Sequence, residues 1–106
     1  MNHIDIIGNI ATDINLQYNA EGKAWASFNL GYTRAKNGGK QSCFVGVIVF
    51  GSLAENVSKY CSKGRPIAVS GELEVINEKR QDGSYNTQTR IIANSVDFLN
   101  PAPEKH

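Results

Sequence analysis

The sequence predicts an all-β chain, a five-stranded Greek-key barrel with one helix between its third and fourth strands, and three observations predict it. Side chains alternate between the two faces of a strand, and β-type runs recur at residues 3–10, 24–33, 43–51, 66–76 and 87–99. One segment, 51–64, switches to helical spacing, with apolar residues at Leu53, Ala54, Val57, Tyr60 and Cys61. At 106 residues the chain makes one domain with a real core and has no room for a second. That domain is placed at residues 1–100, with PAPEKH at 101–106 as a short disordered end.

The first strand, HIDIIGNI (3–10), puts Ile4, Ile6 and Gly8 on one face and Asp5, Ile7 and Asn9 on the other. The stretch after it, ending in NAEG at 19–22, reads as a turn. AWASFNLGYT (24–33) is a half-buried strand: Ala24, Ala26, Phe28 and Leu30 point one way, Trp25, Ser27, Asn29 and Gly31 the other. RAKNGGKQS (34–42) reads as a loop from its adjacent glycines and three positive charges. CFVGVIVFG (43–51) is the third strand, and it is apolar on both faces. Val45, Val47 and Val49 share one; Phe44, Gly46, Ile48 and Phe50 share the other. One face is core, so the other needs cover from a second layer, another subunit or a ligand.

In the helical segment, Ser52 and Glu55 have capping-box spacing, Lys59 and Lys63 suit the negative end of the helix dipole, and Gly64 and Pro66 are stop signals. PIAVSGELEVI (66–76) alternates through Ile67, Val69, Gly71, Leu73 and Val75 as a fourth strand. Asp82-Gly83 within EKRQDGSYN (78–86) is a hairpin signal, because both residues tolerate positive φ. TQTRIIANSVDFL (87–99) is the fifth strand. Five strands with a helix between the third and fourth is the arrangement of the OB-fold, a partly open barrel that binds oligonucleotides or oligosaccharides.

Charge alone names no partner. Lys and Arg total 11 against 10 Asp and Glu, although Lys23, Arg34, Lys36 and Lys40 fall in a stretch free of acids between Glu21 and Glu55. Two cysteines, Cys43 and Cys61, are too few for a disulfide framework and have no zinc-ligand pattern around them, so both read as reduced thiols of a cytoplasmic protein. No run resembles a signal peptide or reaches the length of a membrane span. Enzyme chemistry finds no constellation: His3 and His106 sit at the chain ends, the carboxylates are scattered, and Asn37-Gly38-Gly39-Lys40 lacks the rest of a phosphate-binding loop. No catalytic residue, metal or cofactor is expected.

GNIATDINLQYNAEGKAWASFNL (8–30), VIVFGSLAENVSKYCSKGRPIAVSGEL (47–73) and DGSYNTQTRIIANSVDFL (82–99) resemble the bacterial single-stranded DNA-binding proteins of the SSB family. The resemblance spans nearly the whole chain; only the 34–42 segment is unusually short. It implies an OB-fold that binds single-stranded DNA without sequence preference, usually as a homotetramer, with a dimer left open. Such binding stacks bases on aromatic faces and tracks phosphates with positive charge. Phe44 and Phe50 match positions where the family places stacking aromatics. Trp25 stands where the family usually has a small aliphatic residue, and stacking platform and subunit interface remain open for it.

The departures matter as much. Near the fourth strand's end the family commonly carries basic and aromatic residues, but here the run is Glu74, Val75, Ile76, Asn77, Glu78. Candidate phosphate partners are Lys23, Arg34, Lys36, Lys40, Lys63, Lys79, Arg80 and Arg90, with Tyr85 as a replacement aromatic at the hairpin tip. The ending PAPEKH lacks the acidic tip through which cellular relatives recruit repair proteins, which implies a short tail-less member or a truncated one and no tail-mediated recruitment. The alternative role is that of a tail-less OB-fold accessory subunit of the primosomal type, whose aromatics would serve protein assembly.

Overall fold

The chain runs β1 (Ile4–Ile10), β2 (Asn15–Tyr18), β3 (Ala24–Lys36), β4 (Gly39–Phe50), α1 (Gly51–Tyr60), β5 (Pro66–Lys79) and β6 (Tyr85–Phe98). These elements come from a computed structural model that describes residues 1–99, so the disordered end expected at 101–106 lies outside the described residues. Neighbouring strands follow the order β1-β5-β6-β4-β3-β2. Asn9 and Ile10 of β1 also pair with Gly31 and Leu30 of β3, which closes β1, β3, β4, β5 and β6 into the expected OB-fold barrel. All pairings are antiparallel except that of β4 with β6, which is parallel from Gly46 beside Arg90 to Ile48 beside Ile92.

Alternation places the core on the expected faces. Leu30, Val47, Val49, Ile67, Val69 and Ile91 point into the barrel and are buried, while Ala54 and Val57 of α1 close one end. Closure depends on close approach as well: a Cβ on Gly8 would run into the carbonyl oxygen of Gly31.

Three local expectations are corrected. The segment expected as a turn before NAEG contains β2, because Ile14 and Leu16 alternate with Asn15 and Gln17 and rest against the core. Residues 34–42 form no open loop; β3 and β4 continue as a hairpin to a two-residue turn at Asn37 (φ 47°) and Gly38 (φ 80°). Both turn residues have positive φ, the requirement that selects Asn-Gly in the tightest hairpins. The capping box does not form: Phe50 is the N-cap residue of α1 with no side-chain cap, so Ser52 already lies inside the first turn.

At the other hairpin only Gly83 has positive φ (89°). Asp82 serves differently, accepting from the Ser84 hydroxyl at 2.6 Å and the Ser84 N–H at 2.9 Å. These bonds, the hydroxyl's first, hold the Asp82 carboxyl below its ordinary range. The two hairpins extend beyond the barrel as arms, and the radius of gyration is 15.6 Å against about 13 Å for a compact chain of this length.

The cysteines are unpaired and differ in access. Cys61, 8% exposed beside the end of α1, has its thiol pushed up by burial, with the Arg65 charge opposing more weakly. Because the thiolate is the reacting species, iodoacetamide is expected to label Cys43 before Cys61. Peptide mass spectrometry checks the order, and equal rates would contradict the burial of Cys61.

Candidate nucleic-acid interface

Residues directly opposite each other in a ladder share a face of the sheet, and the register assembles one face from five strands. Trp25 of β3 stands between Gln17 of β2 and Phe50 of β4. The next row runs Asn15, Ser27, Ile48, Ile92 and Glu72. The third runs Asn29, Gly46, Arg90 and Glu74, and beyond it Gly31 faces Phe44. This is the outer face, turned away from Val47 and Val49.

Aromatic groups bracket it. Phe44 is 66% exposed and Phe50 52%, whereas Ile48 between them is 7% exposed and forms a floor. Strand rise separates the two phenylalanines by about 20 Å along β4. Phe44 lies over Gly31, since a Cβ there would stand 3.1 Å from the ring's Cε1; the glycine lets the ring rest on the β3 backbone. Trp25 is half-buried beside Phe50. Between the aromatic ends lies a concavity of about 570 Å³ whose lining includes Thr12, Asn15, Ser27, Asn29, Gln88 and Arg90. These amides and hydroxyls are the part of the face that sequence reasoning misses, although alternation already sets Ser27 and Asn29 beside Trp25.

The positive charges are divided by the same register. Lys40, opposite Ala35, lies on the Phe44 side of the β3–β4 hairpin, while Arg34 (opposite Gln41) and Lys36 (opposite Gly39) lie on the other side. Lys79 and Tyr85 pair with each other on the side of β5–β6 that carries Leu73 and Val75. The guanidinium of Arg80 donates to Asn86 Oδ1 at 3.3 Å, toward the strand face shared by Gln88 and Arg90. Lys63 sits in the turn between α1 and β5, and Lys23 in the turn between β2 and β3, where its N–H donates to Asn19 Oδ1. Arg90, the central cation, donates from Nε to Glu74 Oε1 at 2.7 Å. Among the described residues no cluster of His, Cys, Asp and Glu is arranged to hold a metal ion, and no helix is long and apolar enough to cross a membrane.

A model of the single-strand binding protein family matches residues 1–99. The chain belongs to the single-strand binding protein family. The family is non-enzymatic, and similar proteins carry the name single-stranded DNA-binding protein. One from Bacillus cereus is 35% identical over 104 residues, covering 95% of this chain and 61% of that protein. One from Staphylococcus aureus is also 35% identical over 104 residues, covering 95% of this chain and 67% of that protein. The chain thus spans about three fifths of the length of the Bacillus cereus family member. Among solved structures, a Plasmodium falciparum SSB complex with single-stranded DNA has the same fold, with a TM-score of 0.82 at 21% identity over 94% of this chain and 96% of that one.

Proposed function

We propose that the chain binds single-stranded DNA without sequence preference, laying the strand along the outer face of β3, β4 and β6. The observation that carries this reading is the pair of exposed phenylalanines on a face turned away from the core, in a chain of this family. Phe44 and Phe50 stack bases, Trp25 extends the platform beside Phe50, and stacking tolerates any sequence because every base has a π-face. Lys40 and Arg80 are phosphate partners on this side, flanking Arg90 at its centre. Arg34, Lys36, Lys79 and Tyr85 engage where the strand bends around the arms, and Lys63 and Lys23 where it leaves the face. Covering bases and phosphates this way blocks re-pairing and nuclease access, which suits replication, recombination and repair in the bacterial cytoplasm.

Assembly into a homotetramer, or at least a dimer, belongs to the same reading. Among the described residues β1 pairs with β5 along one edge but meets β3 only at Asn9 and Ile10, with Gly8 packed against Gly31, which leaves Ile4 to Ile7 as an open edge with Ile7 exposed. An open edge is a template for a second copy, and linked subunits would hold one strand at high effective concentration. Molar mass in solution, with and without oligo-dT, checks both oligomer and stoichiometry.

Trp25 is the one tryptophan of the chain, so its fluorescence reports directly. Oligo-dT is expected to quench it, with log affinity falling against log salt at a slope of about −3 if about four phosphates are neutralised. Absence of quenching together with salt-independent affinity would reject the groove and favour an assembly role for the aromatic face.

A further inference from the structure

We propose that Glu74 competes with DNA phosphate for Arg90, so that the central cation of the face is masked in the free protein and released only as the strand takes the carboxylate's place. The inference rests on the DNA-binding reading above and deepens it. Its basis is the row Asn29, Gly46, Arg90 and Glu74 across four strands, which sets the guanidinium between the Phe44 and Phe50 ends of the face. Gly46 keeps the approach to Arg90 open: a Cβ there would lie 3.7 Å from Arg90 Cβ, and the glycine places no side chain in that space. The pair is close, 2.7 Å between Nε and Oε1, and its side chains are 40% and 34% exposed, so both groups remain within reach of a ligand.

The surrounding charges favour competition over a static brace. Glu72, opposite Ile92, and Glu78, opposite Asn86, lie on the same face of β5 as Glu74. Of the three, Glu74 contacts the guanidinium, while Glu72 and Glu78 stand about 7 and about 13 Å from it along the strand. A phosphate approaching Arg90 meets the Glu74 carboxylate at the same fork, and like charges brought together at an interface oppose binding. While Glu74 holds Nε, the guanidinium cannot present that edge for a bidentate phosphate contact. The acidic row also steers the strand toward β3 and β4 and away from β5.

The test is Glu74→Gln in the full chain, which keeps an acceptor for Arg90 Nε and removes the charge. Oligo-dT affinity by anisotropy is expected to rise about two- to fivefold at low salt, and the salt slope to steepen by about 0.7, one further neutralised phosphate. Glu72→Gln, whose carboxylate has no such partner among the described residues, should leave the slope unchanged, and adding Arg90→Gln to Glu74→Gln should erase the gain. Unchanged or lower affinity in Glu74→Gln would overturn the proposal, as would a gain that survives loss of Arg90 or is matched by Glu72→Gln. If the Phe44→Ala and Phe50→Ala variants lose binding while Glu74→Gln changes nothing, the DNA reading stands and the masking falls. If the unmodified chain does not bind oligo-dT at low salt, both fall.

Discussion

Phe44→Ala and Phe50→Ala are each expected to weaken oligo-dT binding by about 5- to 150-fold, the equivalent of roughly 1–3 kcal/mol per lost stack. The size of the effect comes from position. Both rings are more than half exposed on the outer face, so truncation removes a base platform and opens no cavity in the core. Thermal stability should therefore change little while affinity falls. Titration of each variant with oligo-dT, alongside a melting curve, checks the separation. A large loss of stability with unchanged affinity would mean that the rings serve packing. The salt slope should be preserved in both variants, since neither carries charge.

The opposite pattern is expected for Leu30→Ala, which should cost about 2–5 kcal/mol of folding stability. Leu30 is 0% exposed and stands opposite Ile10 where β1 and β3 close the barrel. Its neighbour Gly31 carries the Phe44 ring and accepts the close approach of Gly8, so a collapse around the truncated side chain is resisted by backbone already in contact. A domain holds only about 5–15 kcal/mol in total, and the substitution removes a large share. Urea unfolding measures it at fixed protein concentration. A loss under about 1 kcal/mol would show that closure does not depend on this position.

Alternation makes the barrel legible because a half-buried strand writes its two environments into every second residue. It separates Val47 and Val49 from Phe44 and Phe50, and those faces are the ones observed. β2 escapes because four residues, of which Leu16 alone is partly buried, give a short signal beside turn-forming neighbours. The β3–β4 hairpin escapes for a different reason: Asn37-Gly38 is as strong a hairpin signal in the sequence as Asp82-Gly83, but the charges around it give the segment the composition of a loop. Once that two-residue turn is known, strand parity alone sets Lys40 with Phe44 and sends Arg34 and Lys36 to the other side.

The Glu74–Arg90 pair lies beyond sequence reading altogether. Its partners are sixteen residues apart, and meeting requires the β5–β6 register, which shifts between Ser70 and Gly71. Their place beside Gly46 requires in addition the parallel pairing of β4 with β6. Neither leaves a periodic trace in the chain. The failed capping box is a related lesson in offset: Ser52 and Glu55 have the correct spacing, but the helix is capped two residues earlier, at Phe50, so the serine is no longer the cap.

The proposed path of the strand, along the outer face of β3, β4 and β6, can be mapped residue by residue from backbone amide shifts of labelled protein titrated with oligo-dT. The expected result is a set of shifted amides at Trp25, Ser27, Asn29, Phe44, Gly46, Phe50, Gln88 and Arg90, with α1 unchanged. Shifts confined to α1 and the Lys63 turn, with Phe44 and Phe50 silent, would contradict it.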